Sequence, residues 1–292
     1  MPWRILIVIA LLGLSACSQS GGVDLDKLVD IGTHSLHIRC IGKGHPVVVI
    51  DTGHGDLLDS WQSIQAQIGQ YTRVCAYDRA GYGSSEPGPM PRHSQRIADE
   101  LELLLDQARV GGPYVLVGHS LGAANMQVFA SRYPDQVAGL ILLDPPPLQL
   151  ITGQAFPELH RMAEQEAAGI HQMAEAARQA ADTEGQARAG FLAAAASELE
   201  TLFGEGAAQV AAVESFGDIP LVVIGSGKAN PAFGEVAEDY QQFWIEQSRA
   251  LTQKSTQGRF ILAQESGHHL HKDAPDLVLD TIRQVVKEAR VK

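Results

Sequence analysis

Clusters of basic residues are absent from this chain. Its 22 Lys and Arg are outnumbered by 34 Asp and Glu, for a formal net charge of −12. No Lys/Arg patch marks a nucleic-acid or acidic-membrane binder, so neither partner is expected. Nucleotide-binding signatures are missing too. No G-x-G-x-x-G opens a βαβ unit. Gly225-Ser226-Gly227-Lys228 imitates a P-loop, but that motif needs Gly at 222 and Ser or Thr at 229, where Val222 and Ala229 stand. No cofactor is expected. The chain has no internal repeat and only three cysteines, at 17, 40 and 75. The apolar run from Ile5 to Leu14 is too short for a spanning helix.

What is present suits a large globular fold. The 292 residues fit one large domain, or a domain with an insertion, and 45% of them are hydrophobic. Short branched runs read as strands at 46–51, 73–78, 114–118, 137–143, 220–225 and 259–263, after a leading hairpin at 23–31 and 34–41. Helical spacing occupies 60–70, 92–110, 121–133, 233–254 and 277–289. This alternation predicts an α/β fold with a mostly parallel sheet flanked by helices. It breaks at Pro145-Pro146-Pro147. From 157 to 216 the chain is rich in Ala, Glu and Gln and reads as several helices, with breaks offered by Gly169, Gly185, Gly204 and Gly206. Phe191, Leu192, Leu199, Leu202 and Phe203 give this stretch apolar faces.

The first 16 residues read as a secretory signal peptide: Arg4, the apolar run, then small residues before Cys17. Leu14-Ser15-Ala16-Cys17 resembles the lipobox of bacterial lipoproteins. That resemblance implies cleavage before Cys17, lipidation of its thiol and a tether over 17–22. Ser18 after the cysteine implies the outer membrane, facing the periplasm. Without a lipid the protein would be periplasmic or secreted, and any membrane contact runs through the anchor alone. Cys40 and Cys75 then remain as an even pair, a disulfide candidate in an exported protein or two buried thiols.

The chemistry centres on Gly118-His119-Ser120-Leu121-Gly122, a G-x-S-x-G motif between a strand and a helix. That setting makes a sharp turn that lifts a serine hydroxyl clear of the sheet and points a helix N-terminus at it. A serine needs a base. Ser266-Gly267-His268-His269-Leu270 follows the last strand, and loops after parallel strands gather at one edge. His268 is the expected base and His269 the alternative. A metal site from His268, His269 and His271 is the rival, with weak spacing and no obvious carboxylate. The loop Asp51-Thr52-Gly53-His54-Gly55-Asp56 follows a strand and can bring the N–H of His54 toward the serine, to pair with that of Leu121 as an oxyanion hole. The His54 side chain is also a candidate pocket wall. Trp61, Phe243 and Trp244 read as core or pocket wall.

Gly53-His54-Gly55, Tyr77-Asp78-Arg79-Ala80-Gly81-Tyr82-Gly83-Ser84-Ser85, Gly118-His119-Ser120-Leu121-Gly122, Leu140-Ile141-Leu142-Leu143-Asp144 and Ser266-Gly267-His268 fall in the order seen in the α/β-hydrolase superfamily, which the chain resembles from about residue 30 onward. The resemblance implies an α/β-hydrolase core at 23–144 and 218–292, with a helical cap at 145–217 inserted after strand 6. It also implies that the second strand lies beside the fourth, which would make Cys40 and Cys75 neighbours. The triad acid departs from a common pattern. No carboxylate follows the strand at 220–225, so Asp144 is the expected acid, with Glu235, Glu238 and Asp239 as alternatives. Asp78-Arg79 is assigned no direct chemistry. The expected activity is that of a carboxylesterase-like serine hydrolase acting on a small-molecule acyl substrate, a small to medium ester. A C–C hydrolase or lyase on the same triad, and an inactive ligand-binding lipoprotein, are the alternatives.

Overall fold

The computed structural model describes residues 23–180 and 182–291. The expected signal peptide, the tether and Cys17 lie outside the described residues. Eight strands form one sheet: β1 (Val23–Asp30), β2 (Ser35–Ile41), β3 (Val47–Asp51), β4 (Val74–Tyr77), β5 (Tyr114–His119), β6 (Val137–Leu143), β7 (Leu221–Ser226) and β8 (Gly258–Ala263). Their order is β1-β2-β4-β3-β5-β6-β7-β8. β1 pairs antiparallel with β2, and β2 with β4; every later pair is parallel. The sheet is therefore mostly parallel, as the strand–helix alternation predicts.

Strands covered on both faces must be apolar at successive positions. β3, β4, β5 and β7 are buried along their whole length. Alternate residues feed two separate cores. Val47, Val49, Leu116, Leu140 and Leu142 face one way, under helices α2 (Ser94–Gln107) and α3 (Leu121–Arg132). Val48, Ile50, Val117, Ile141 and Leu143 face the other, under α1 (Gln62–Ile68) and the terminal helix α10 (Pro275–Ala289). The latter begins two residues before its expected start, because Pro275 suits the first helical turn.

Between β6 and β7 come four helices: α4 (Leu148–Ile151), α5 (Pro157–Arg178), α6 (Thr183–Leu202) and α7 (Glu205–Ala211). Of the four expected glycine breaks, Gly204 alone separates two helices. Gly169 and Gly206 lie inside α5 and α7, and Gly185 in the first turn of α6. A lone glycine costs a helix only about 1 kcal/mol, which side-chain packing between helices outweighs. Helices α5 and α6 pack through Ile170, Ala174, Leu192 and Ala193. Leu202, Ala207 and Val210 join the core beneath α2 and α3. After β7, helix α8 (Ala237–Leu251) is shorter than the expected 233–254, since 3₁₀ turns occupy both flanks. Among the described residues, no helix is long and apolar enough to cross a membrane.

Cys40 and Cys75 are directly opposite in the β2–β4 ladder, are buried, and are joined as a disulfide. On the α1 side, Trp61 is fully buried and stacks on His271 of the short helix α9 (Leu270–Asp273), with ring centres 4.4 Å apart. Neither ring nitrogen of His271 has a hydrogen-bond partner among the described residues. Burial holds its pKa down at about 4, against the pull of Asp56, whose carboxylate lies 3.7 Å away.

Two predictions follow from this packing. The disulfide closes a sequence separation of 35. The double variant Cys40→Ala/Cys75→Ala is expected to lose about 2–4 kcal/mol of unfolding free energy in urea titration. His271 is neutral when folded and takes up a proton when unfolded, near pH 6.5. Its contribution is thus complete above that pH and is lost as the pH falls toward 4. Stability should drop by about 2 kcal/mol between pH 7 and 4.5 on this account. His271→Gln should flatten that slope, and an equal slope in the variant would refute the assignment.

Candidate active site

The sheet brings the expected site residues to one edge. Ser120 lies between β5 and α3 with φ +53° and ψ −118°, a backbone that a residue with a side chain rarely adopts. Close packing enforces it. A Cβ on Gly118 would meet the carbonyl oxygen of Gly122 at 2.5 Å, and one on Gly122 would meet that of Asp51 at 2.3 Å. Only glycine fits at either flank. The Ser120 N–H donates to the Leu143 carbonyl (3.0 Å), which ties the turn to the end of β6. Ser120 remains partly exposed, at the N-terminus of α3. The first N–H groups of a helix have no partner within it, so the N–H of Leu121 is free of the helix ladder.

Asp144 follows β6 immediately and is itself held at φ +48°. Its carboxylate is buried and fully engaged. Oδ1 accepts from the Ser226 N–H (2.8 Å); Oδ2 accepts from the Ser226 hydroxyl (3.0 Å) and from His268 Nδ1 (2.6 Å). A carboxylate only accepts, so Nδ1 carries a proton, and in the neutral ring Nε2 keeps its lone pair. An imidazole in that tautomer can act as a general base. The His268 side chain is 39% exposed, open enough to meet a substrate. Glu235, Glu238 and Asp239 lie exposed on the surface. Ser226, the last residue of β7, supplies two donors to Asp144, and Gln241 in turn donates to the Ser226 carbonyl (2.8 Å) and hydroxyl (3.1 Å). The sequence shows Ser226 only within the P-loop imitation at the end of a strand, and carries no sign of Gln241.

His119 joins the Ser120 turn to the His268 loop. Its Nε2 donates to the His268 carbonyl at 2.9 Å, anchoring the main chain of that loop. Burial, then the neighbouring His268 and His271, push its pKa well below the ordinary value, so it stays neutral. His269, the alternative base, is exposed, and partial desolvation, then the neighbouring His268, lower its pKa. His268 and His271 turn to different partners, Asp144 and Trp61. Among the described residues, no three His, Cys, Asp or Glu side chains are placed to hold a metal ion.

The loop after β3 lies directly against this turn. A Cβ on Gly53 would sit 2.8 Å from His119 Nδ1 and 3.6 Å from Ser120 Cβ. His54 sends Nε2 to the Ala195 carbonyl in α6 (2.8 Å), so its side chain binds the helical insertion. Arg79, assigned no chemistry from sequence, turns out to be central. Its guanidinium is fully buried and donates to Asp51 (2.7 Å), to the carbonyls of Thr52 (2.8 Å) and Gly53 (2.9 Å), and to both oxygens of Glu198 (2.7 and 3.0 Å). Burial opposes its charge, but Glu198 and Asp51 more than offset this and hold its pKa well above the usual value. Burial raises the Asp51 carboxyl, against Arg79 and the Asn125 amide that donates to it (2.9 Å). The sequence offered no sign of Glu198, because its partner stands 119 positions away.

A cleft of about 500 Å³ opens beside Asp144 and His268, walled by Phe233, Tyr240 and Trp244. Trp244 presents its ring edgewise to His268 at 5.9 Å, and Phe243 packs on Phe156 behind it. Trp61 belongs to the core.

The profile of the alpha/beta hydrolase family matches residues 47–281. A Bacillus subtilis protein, YqjL, is 27% identical over 246 residues, 84% of each chain. Among solved structures, the enol-lactonase of Burkholderia xenovorans superposes with a TM-score of 0.66 at 19% identity, covering 89% of this chain and 100% of that one. A thermophilic esterase from Thermogutta terrifontis gives 0.64 at 20% identity, covering 91% and 99%. These likenesses and the sheet order agree: the chain belongs to the alpha/beta hydrolase family and is an enzyme of the hydrolase type.

Proposed function

We propose that this hydrolase is a serine esterase that cleaves a small to medium carboxylic ester through Ser120, His268 and Asp144. One observation carries the reading above the others: the 2.6 Å bond from His268 Nδ1 to Asp144, on loops that meet the Ser120 turn. That bond leaves Nε2 as the base. In the first step the Ser120 hydroxyl attacks the ester carbonyl while His268 Nε2 takes its proton. Asp144 stabilises the imidazolium, and the N–H groups of His54 and Leu121 hold the oxyanion. Collapse expels the alcohol, which receives the proton from His268, and leaves an acyl-enzyme. Water then attacks the acyl group, again with His268 as base, and releases the acid and the free serine.

The substrate class draws its support from structural neighbours; the cleft of about 500 Å³ is lined by Asp144 and His268 but not by Ser120. Two structural neighbours bear the names enol-lactonase and esterase.

We further propose that the protein works in the bacterial envelope, lipid-anchored at Cys17 to the outer membrane and facing the periplasm. The Cys40–Cys75 disulfide supports an oxidising compartment.

A fluorophosphonate probe tests the chemistry. The wild-type protein should be labelled, and Ser120→Ala should not. Asp144→Asn should keep its fold but lower kcat on p-nitrophenyl butyrate by about 10³- to 10⁴-fold, because His268 would then hold the wrong tautomer. A folded wild-type protein that resists the probe and leaves p-nitrophenyl esters intact would sink the proposal.

A further inference from the structure

The loop that carries the His54 N–H is short, and two of its residues, Gly53 and Gly55, are glycines. Within the loop the Gly53 carbonyl accepts only a long turn contact from the Asp56 N–H (3.2 Å), and the glycines add little stiffness of their own to the Gly53–His54 peptide plane. That plane matters, because the Gly53 carbonyl and the His54 N–H belong to one trans peptide unit and point in opposite directions. Whatever holds the carbonyl aims the N–H. Arg79 makes the shorter and charged contact, donating from Nη2 to the Gly53 oxygen at 2.9 Å and from Nη1 to the Thr52 oxygen at 2.8 Å.

Arg79 is oriented in turn by Glu198, in helix α6. The Glu198 carboxylate takes Nε and Nη2 as a pair of parallel bonds, 2.7 and 3.0 Å long. A fork of this kind fixes the guanidinium plane as a single contact does not. Glu198 Oε2 also accepts from the Tyr82 hydroxyl (2.6 Å), and that hydroxyl receives the Gly55 N–H (3.3 Å). Three residues earlier in the same helix, the Ala195 carbonyl takes His54 Nε2. These contacts from Glu198 and Ala195 converge on residues 53–55.

The composition of α6 follows from this approach. A Cβ on Gly81, in the turn beside Arg79, would meet Ala194 Cβ at 2.8 Å and the Gly190 carbonyl at 3.1 Å. A larger side chain at 194 would crowd Gly81 and push the helix off the turn. Charge accounting points the same way. Asp51 already neutralises Arg79, so Glu198 brings a second carboxylate into a fully buried site. Apolar packing would attach the helix without that desolvation cost.

We infer that Glu198 is a positioning residue: through Arg79 and Tyr82, this residue of the helical insertion holds the Gly53–His54 peptide in the orientation that binds the oxyanion. The inference rests on the serine esterase reading above. It makes the helical insertion part of the catalytic apparatus.

Turnover of p-nitrophenyl butyrate, normalised to sites titrated by the fluorophosphonate, provides the test. Glu198→Gln should lower kcat per titrated site by about 10- to 100-fold, with KM changed by less than about threefold, because an oxyanion contact acts in the transition state. Tyr82→Phe keeps the ring and removes one hydroxyl; it should lower kcat by about 3- to 10-fold. The double variant should lose little more than Glu198→Gln alone, since both act on one loop. A folded Glu198→Gln protein with wild-type kcat per site, or with a loss confined to KM, overturns the inference. If Glu198→Gln fails to fold, Tyr82→Phe decides, and an unchanged kcat refutes the proposal. A wild-type protein without Ser120-dependent labelling overturns the esterase reading itself, a result distinct from a failure at Glu198 alone.

Discussion

A serine held at φ +53° is the constraint around which this molecule is organised. Such a backbone costs on the order of 1–3 kcal/mol and persists only where neighbouring structure over-determines it. Here the neighbours are main-chain atoms. Gly118 packs on the opening of α3, and Gly122 packs on the carbonyls of Asp51 and Thr52 at the end of β3. The Ser120 N–H is bound to the end of β6. Three adjacent parallel strands therefore hold the turn, and the two cores on either face of the sheet hold those strands.

The same edge concentrates polar groups that would be costly elsewhere. Asp144 is buried, yet Ser226 and His268 satisfy its oxygens. Arg79 has no access to water, yet two carboxylates and two carbonyls surround it. Removing a single partner from such a group leaves an uncompensated buried charge, which is far more expensive than the pair is stabilising. Rigidity at the site follows from this accounting. The loop after β3, the turn after β4 and helix α6 share one guanidinium, so none can shift without the others. His119, neutral because it is buried, adds a link from the serine turn to the His268 loop.

Elements with strong local signals were legible in advance. The branched runs at β3, β5 and β6 can pack only as strands covered on both faces, and the G-x-S-x-G turn needs its two small flanks for steric reasons visible in the motif. Residues whose role depends on a partner far along the chain were not. Ser226 looked like part of a failed P-loop, and its hydroxyl acquires a purpose only beside Asp144, 82 positions earlier. Arg79 looked structural, and Glu198 was one of many carboxylates in an Ala-rich stretch. The glycines at 169, 185 and 206 misled, because local propensity is weaker than the packing of α5 and α6.

By itself the sequence determined the strand–helix alternation, the serine turn and the pairing of residue types that its chemistry requires. Periodicity and turn stereochemistry are local, so neighbouring residues suffice to read them. Only the tertiary structure decided which carboxylate faces His268, that Cys40 and Cys75 are joined, and which groups aim the His54 peptide. Those outcomes depend on which chain segments the sheet order brings together. Burial then selects among them, since a charge or a peptide group removed from water must find its partner wherever the fold has placed one.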